Sequence, residues 1–271
     1  MLKIITDSSA NISQEEAKKL NLKVIPLTVI FGNEEFQDGI NLDCDAFYQK
    51  MATSKDFPHT AQLTEEQIDC AVKEALEEAD EVLIMPIASV LSGTYERCKS
   101  VAARYENVYA YDTHCTTVML KLFILEALKI ADKGAKAVME MLDALRPKLK
   151  IYAALDTLEN LKKGGRLSGA AAFIGTMLKI KPVITFAVDG RVEVISKQFG
   201  INKGMSYLVQ TIDKNKIDFT KPVYLIYTGD DKNSEALISR LNIPYTEKLN
   251  ICPVIGTHIG RAAAGVVFAE K

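Results

Sequence analysis

Four short clusters of hydroxyl-bearing and small residues punctuate this chain of 271 residues, and three of them follow apolar runs. Serine and threonine hydroxyls, together with histidine, can hold an anion or a carboxylate by hydrogen bonds. These three runs are typical of buried parallel strands, so we expect the clusters on loops at strand ends, where open α/β sheets bind ligands. The clusters span residues 6–9, 59–62, 89–94 and 256–260. Their chemistry indicates binding and does not by itself indicate a reaction.

Ser92, Gly93 and Thr94 lie between a predicted strand and a predicted helix. A serine or threonine at this point can cap the helix by accepting hydrogen bonds from its free N–H groups. The same N–H groups and the helix dipole favour a bound anion, and Gly93 would let a ligand approach the backbone. The segment alone supports a structural role and a binding role equally.

His258 lies between glycine-containing pairs, after the apolar residues 252–255. Glycines on both sides are unusual around a core histidine, and they would let the backbone approach a ligand while the imidazole donates a hydrogen bond. We therefore predict a binding role for His258. His59 and His114 have no comparable neighbours, and we expect structural roles for them.

Three other polar features leave alternatives open. Thr60 lies in a loop after Pro58, where a single threonine is usually structural. Residues 6–9 end the first predicted strand and suit a turn in which Asp7 accepts backbone hydrogen bonds. Arg166 follows a stretch of lysines and glycines, and its charge suits either a helix C-terminus or a contact with a partner or a phosphate.

The composition is that of a globular protein, with 48% hydrophobic and 25% charged residues. A net charge of −2 provides no basic face for nucleic acid. The five cysteines form no C-x-x-C pair, which favours reduced thiols in the cytoplasm over a disulfide frame or a zinc site. The chain runs directly into a predicted strand and contains no apolar run of about 18 residues, so we expect a cytoplasmic protein that does not span a membrane.

The motifs of several common enzyme classes are absent from the sequence. There is no G-x-x-x-x-G-K-[ST] phosphate loop, no G-x-S-x-G nucleophile elbow and no H-E-x-x-H metal motif. Only three histidines could serve as the base of a catalytic triad. These features disfavour a hydrolase, a metalloprotein or a nucleotide-binding enzyme, and we expect no metal and no cofactor.

The first half of the chain alternates short apolar strands with helical patterns. Such alternation predicts a parallel sheet covered by helices on both faces. Thr64 and Gln67 are spaced as in a capping box, which marks the start of one helix. The predicted strands are residues 2–6, 24–31, 81–87 and 108–111, and the predicted helices are residues 64–79, 92–105, 118–131 and 135–145.

The pattern breaks at Arg146-Pro147-Lys148, and we predict a domain boundary there, with domains of residues 1–147 and 148–271. In the second half, Asp189-Gly190 lies between two apolar runs and is the strongest hairpin signal in the chain. A hairpin among alternating elements predicts a smaller α+β domain with a mixed sheet. Its predicted strands are residues 151–155, 183–188, 192–196, 223–228 and 263–269, and its predicted helices are residues 157–163, 204–212 and 234–241.

The order and spacing of six motifs resemble the DegV family, whose characterised members are the fatty-acid-binding subunits of bacterial fatty acid kinase. The resemblance extends over essentially the whole chain. The motifs are Thr6-Asp7-Ser8-Ser9, Thr60-Ala61-Gln62, Leu91-Ser92-Gly93-Thr94-Tyr95, Gly165-Arg166-Leu167-Ser168, Ile180-Lys181-Pro182-Val183-Ile184 and Gly256-Thr257-His258-Ile259-Gly260.

The resemblance implies a Rossmann-like α/β domain and a smaller α+β domain with one long-chain fatty acid bound between them. It implies that Thr60 and Ser92 hold the carboxylate, next to Gly93 and Thr94, with His258 nearby and the hydrocarbon chain in an apolar tunnel. It also implies a partner, an ATP-dependent fatty acid kinase that phosphorylates the bound carboxylate and yields acyl phosphate for phospholipid synthesis. Arg166 matches a family arginine associated with that exchange.

Three positions depart from the pattern of the family. Phe199 stands where the family often has a second arginine, Arg261 where a proline is frequent, and Leu63 where the threonine loop often has proline. The first departure bears on docking of the kinase more than on lipid binding.

Simple energetics require a preformed apolar tunnel for such a ligand. Burying a sixteen-carbon chain gives roughly 12 kcal/mol gross, at about 0.8 kcal/mol for each methylene, against an association cost of about 4–15 kcal/mol. Candidate linings are residues 170–178 and 118–125, although such stripes are more often plain core.

The hypothesis is a carrier without catalysis of its own. The alternatives are an acyl or phosphoryl transfer enzyme that uses Ser92 and His258, and a sensor of another small carboxylate.

Overall fold

The computed structural model describes residues 1–167 and 180–271, and its elements are numbered here in chain order. The strands are β1 (Leu2–Asp7), β2 (Lys23–Ile25), β3 (Thr28–Phe31), β4 (Glu34–Gln37), β5 (His59–Ala61), β6 (Glu81–Met85), β7 (Val108–Ala110), β8 (Leu149–Ala154), β9 (Ile180–Phe186), β10 (Val192–Phe199), β11 (Tyr224–Tyr227), β12 (Glu247–Asn250) and β13 (Ala264–Ala269). The helices are α1 (Gln14–Lys19), α2 (Cys44–Thr53), α3 (Glu65–Leu76), α4 (Thr94–Ala102), α5 (Thr117–Leu128), α6 (Gly134–Leu145), α7 (Glu159–Lys163), α8 (Ile201–Thr211), α9 (Lys232–Leu241) and α10 (Pro253–Ile259).

The first half of the chain builds the parallel sheet that its alternating pattern predicts. The strands lie in the order β2-β1-β6-β7, and every neighbouring pair is parallel. All six residues of β1 are buried, as expected for a strand covered on both faces. The predicted capping box is present, because Thr64 accepts from the backbone of Gln67 and the Gln67 side chain accepts from the backbone of Thr64.

The predicted strand at residues 24–31 is wrong, because two strands in different sheets occupy this segment. β2 joins the parallel sheet, whereas β3 lies at the centre of a small antiparallel sheet in the order β4-β3-β5. The strands are separated by Pro26, which has no N–H to donate to a ladder, and by Leu27, whose N–H donates to the Ser8 hydroxyl instead. This small sheet carries Thr60 on β5.

The second half builds a mixed six-stranded sheet in the order β10-β9-β8-β13-β11-β12. The β11–β12 pair is parallel, and the other neighbouring pairs are antiparallel. The predicted hairpin is confirmed, because β9 and β10 are joined by a turn in which Gly190 has φ +86°. The fold is therefore an α/β protein with a parallel-sheet part and a mixed-sheet α+β part.

Helix α5 lies between the two sheets. Its residues contact β8 and β13 of the mixed sheet, and ten of its twelve residues are buried. A helix that is apolar nearly all round is typical of such a central position. The strands of the two large sheets come from either side of a short 3-10 helix at Arg146–Lys148. The domain boundary at that point stays a prediction.

Within the described ranges, no helix is both long enough and apolar enough to cross a membrane.

Candidate functional site

Two of the four polar clusters lie at the carboxyl ends of neighbouring parallel strands, as expected. Residues 6–9 complete β1 and begin a 3-10 turn at Ser8–Ala10, and residues 89–94 connect β6 to α4. The other two clusters are placed differently from the prediction. Thr60 lies within β5 of the small antiparallel sheet, and His258 lies on helix α10.

Helix α10 begins at a proline, and this explains why the apolar residues before His258 do not form a strand. Pro253 occupies the first turn, where its fixed φ and missing N–H suit a helix start. The glycines beside His258 also have a different role from the one predicted. A side chain at Gly256 would collide with Phe47 and Tyr48 of α2, and Gly260, at φ +78°, ends the helix. They serve helix packing and helix termination.

Thr60 and His258 are 198 positions apart in the sequence, and the fold brings them into direct contact. Thr60 Oγ1 and His258 Nε2 are 3.0 Å apart. Helix α10 packs against β3 and β5, so its last turn lies next to the strand that carries Thr60. A hydroxyl and an imidazole are thus paired at one place.

Burial keeps the imidazole of His258 neutral at physiological pH. Burial, with smaller contributions from the nearby charges of Arg166 and His59, lowers its pKa from 6.5 to about 4. The second ring nitrogen, Nδ1, is buried and has no hydrogen-bond partner among the described residues. It lies against Gly164, where a side chain would overlap it.

Ser92 and Thr94 are paired with each other at the start of α4. Their hydroxyl oxygens are 3.0 Å apart, and the Thr94 N–H donates to Ser92 Oγ over 3.3 Å. Gly93 lies between them at the N-cap position, and the space that a side chain would fill there is taken by the Gln62 amide. Ser92 and Gly93 line a cavity at this point of the fold, whereas Thr94 is fully buried.

A cavity of about 460 Å³ lies between the elements of the two halves and joins the predicted residues. Thr60, Ser92, Arg166 and His258 all line it. The rest of its wall is mainly aliphatic and aromatic. The apolar lining consists of Leu27, Ala61, Ile87, Leu91, Leu161, Phe186, Val192, Val254, Ile255 and Ile259.

The guanidinium of Arg166 is tied to backbone carbonyls beside the cavity. Nε donates to the Leu91 carbonyl over 3.1 Å, and Nη1 donates to the Gly164 carbonyl. In the described parts of the chain it forms no ion pair with a carboxylate, so its charge stays available to an anionic group near His258.

The lining includes residues that the sequence did not indicate. Phe186 and Val192 flank the β9–β10 turn, and the tertiary fold alone brings them to the same cavity as Ile87 and Leu91. Residues 118–125 do not line the cavity, because α5 is buried in the core between the sheets. The other predicted lining, at residues 170–178, lies outside the described residues.

The three departures from the family pattern lie at different depths. Phe199 ends β10 with 68% of its surface exposed, and Arg261 is exposed beside an acidic cleft that includes Asp230 and Asp231. Leu63 is buried in the core. Of the three, only Phe199 presents a large apolar surface to solvent.

Comparisons with known proteins agree over the full length of the chain. A sequence model described as "Uncharacterised protein, DegV family" matches residues 1–271. Protein DegV of Bacillus subtilis is 27% identical over 279 residues, which cover 99% of each chain.

Solved structures share the fold as well. A DegV family protein from Thermus thermophilus, described by its fatty acid binding, has a TM-score of 0.89 and 29% identity, and the match covers 100% of this chain and 99% of that one. A stearic-acid-binding protein from Eubacterium ventriosum has a TM-score of 0.87 and 25% identity, with the same coverage. From its first residue to its last, this chain is a member of the DegV family.

Proposed function

We propose that this protein binds one long-chain fatty acid, with the carboxylate at Thr60, Ser92 and His258 and the hydrocarbon chain in the cavity. The observation that carries the proposal is that these three side chains, distant in sequence, line one cavity whose remaining wall is mainly apolar. Fatty-acid binding by the similar proteins from T. thermophilus and E. ventriosum supports the choice of ligand.

The polar groups meet the needs of a carboxylate in an apolar site. A buried carboxylate stays charged only if it is hydrogen-bonded. When the neutral His258 ring carries its proton on Nε2, it donates to Thr60 Oγ1 and leaves the Thr60 hydroxyl proton for the ligand. The Ser92 hydroxyl supplies a second donor, and the charge of Arg166 favours an anion nearby.

We further propose that the protein presents the bound carboxylate to a separate ATP-dependent kinase in the cytoplasm, which forms acyl phosphate for phospholipid synthesis. The family resemblance supports this partner. Phe199, which is exposed at the end of β10, stands where the family often has an arginine, so we expect it to affect how the kinase docks. On this proposal the chain has no catalytic residue of its own. Within the described ranges, no group of histidine, cysteine, aspartate or glutamate residues is arranged to hold a metal ion.

Geometry favours binding over the alternative of an acyl or phosphoryl transfer enzyme. A serine nucleophile requires a base within hydrogen-bond reach, yet Ser92 Oγ pairs with Thr94 and His258 Nε2 pairs with Thr60. Steady turnover of an acyl ester or of ATP by the isolated protein would favour the enzyme.

Native mass spectrometry of the purified protein tests the proposal. We expect an added mass that matches a long-chain fatty acid, and we expect the empty protein to take up palmitic or oleic acid on incubation. The Thr60→Val, Ser92→Ala double variant is the matched control, with reduced uptake. A protein that stays empty after incubation contradicts the proposal, and a tightly bound short carboxylate would favour the sensor instead.

A further inference from the structure

The carboxyl of Asp38 joins three segments of the chain beneath the cavity. Asp38 follows β4, and only 2% of its surface is exposed. Its Oδ2 accepts a hydrogen bond from the Ser8 hydroxyl over 2.9 Å and one from the Val254 N–H over 3.4 Å. Its own N–H donates to the carbonyl of Leu27. One buried side chain thus connects the turn after β1 with the first turn of α10.

The groups that Asp38 holds belong to the wall of the ligand cavity. Val254 and Leu27 both line it, and the Leu27 N–H donates to the same Ser8 hydroxyl that donates to Asp38. His258 follows Val254 by four residues, one helical turn along α10. A shift at the start of this short helix therefore moves the imidazole relative to Thr60.

Polar contacts, together with the apolar packing of Ile251, Val254 and Ile255, hold the start of α10. Asn11 Oδ1 accepts from the Cys252 N–H over 2.7 Å, and Asn11 Nδ2 donates to the Asn250 carbonyl over 3.2 Å. A second cavity, of about 230 Å³, borders Asp38, Cys252 and Pro253 on this side. Because space is left on this side of the helix start, we expect its exact position to depend on these hydrogen bonds as well as on the packing.

We propose that Asp38 is a positioning residue for the ligand site, which holds the first turn of α10 and thereby keeps His258 in contact with Thr60. The proposal rests on the proposed function for the meaning of the site, but the position of His258 can be measured without any ligand. It gives the Thr6-Asp7-Ser8-Ser9 motif a role, because Ser8 is the hydroxyl that orients the carboxyl.

The contact that holds the start of α10 weakens as the pH rises toward 7. Burial, together with the nearby charge of Asp7, raises the pKa of Asp38 to about 7, even though the hydrogen bonds from Ser8 and Val254 lower it. The buried arrangement therefore binds a proton more tightly than one in which Asp38 reaches water. Between the ordinary carboxyl pKa of 3.8 and about 7, arrangements with α10 lifted away therefore gain in population as the pH rises, by at most about tenfold per pH unit for one proton, and above pH 7 the gain levels off.

Other titratable groups face Asp38 from β1, from α2 and from the segment before α10. Burial raises the pKa of Cys44 to about 12 and raises the pKa values of Tyr48 and Cys252 well above their ordinary values, so these groups stay neutral near pH 7. Burial also raises the pKa of Asp7. A variant at Asp38 alone separates its contribution from that of Asp7.

Two variants at this position test the proposal. Asp38→Asn keeps an oxygen that accepts from Ser8 and Val254 but removes the titration, whereas Asp38→Ala removes the acceptor. Glu126→Ala and Glu126→Gln are matched controls, because Glu126 is a buried carboxyl on α5 that pairs with Lys129 and Lys221, outside α10. The readouts are the imidazole NMR signals of the three histidines in ligand-free protein and the Kd for oleic acid between pH 5.0 and 8.0.

We expect Asp38→Ala to shift the His258 signals and to weaken oleic acid binding by about tenfold or more, since a buried donor loses its acceptor. We expect Asp38→Asn to bind like the natural protein at pH 5.0, and binding by the natural protein to weaken relative to this variant as the pH rises from 5.0 to 7. The proposal is overturned if Asp38→Ala changes the His258 signals and the Kd for oleic acid no more than Glu126→Ala does. So do identical pH profiles of the natural protein and Asp38→Asn.

If Asp38→Ala does not fold, Ser8→Ala removes the hydroxyl on the other side of the contact. Unshifted His258 signals in that variant overturn the proposal, and shifted signals support it. If the natural protein binds no oleic acid at any pH, the proposed function fails, and the His258 signals of the ligand-free variants alone decide the positioning role.

Discussion

The imidazole of His258 rests against the backbone of Gly164, in the turn that ends α7. A Cβ atom at position 164 would overlap Nδ1, so only glycine leaves room for the ring in its present place. The same ring reaches Thr60 with its other nitrogen. The short helix α7 therefore forms the back wall of the contact that we propose to bind the carboxylate.

We expect Gly164→Ala to push the imidazole away from Thr60 and to weaken fatty-acid binding by about 1 kcal/mol or more, the contribution of a hydrogen bond in a buried site. Titration of the purified variant with a fluorescent fatty acid measures this effect. Gly204→Ala is the matched control, because Gly204 lies within α8 and its added methyl would make only ordinary contacts. Equal affinities of the two variants would count against a fixed His258.

Removing one hydroxyl donor at a time should weaken ligand binding without unfolding the protein. We expect Thr60→Val and Ser92→Ala each to cost about 1–3 kcal/mol of binding free energy. Ser92→Ala should also lower the free energy of unfolding by about 1 kcal/mol, because the start of α4 loses its oxygen acceptor. Isothermal titration and urea unfolding separate the two effects.

Thr53→Val is the control for these substitutions, since the Thr53 hydroxyl is exposed and bonds only to carbonyls of its own helix. If Thr60→Val and Thr53→Val bind the fatty acid equally well, Thr60 does not hold the carboxylate.

Local patterns sufficed to predict the two kinds of sheet and the hairpin. Alternating strands and helices predicted the parallel sheet, and Asp189-Gly190 predicted the turn, because these features depend on neighbours in sequence. The position of His258 could not be predicted in this way. The run before it is as apolar as a buried strand, and only Pro253 indicated that a helix could begin there.

The contact between Thr60 and His258 depends on how β5 and α10 pack, and no periodicity in the sequence carries that information. The family resemblance named both residues without giving their distance. The walls formed by Phe186 and Val192 were missed for the same reason, since the hairpin meets the first sheet only in the folded chain. Strand β12 was missed because Glu247, Lys248 and Asn250 are polar.

The buried state of His258 predicts a loss of stability in acid. Its pKa is about 4 in the folded protein and near 6.5 when unfolded, so between these values the unfolded chain binds the proton and the folded chain does not. Stability therefore falls as the pH drops from about 6.5 toward 4. Urea unfolding at pH 7.0 and pH 5.0 should show a smaller decrease for His258→Gln than for the natural protein. The same decrease in both would contradict a buried neutral imidazole.

The charge of Arg166 should be measurable through His258. Burial is the main cause of the low pKa of His258, and the guanidinium of Arg166 lowers this pKa as well, so we expect Arg166→Gln to raise it in part, as followed by the imidazole NMR signals during a pH titration. The same variant should weaken binding of an anionic fatty acid by less than the loss of Thr60 does, since Arg166 acts at a distance. Arg191→Gln is the control, because Arg191 pairs with Asp189 on the exposed hairpin. If both variants leave the pKa of His258 unchanged, the charge of Arg166 does not reach the site.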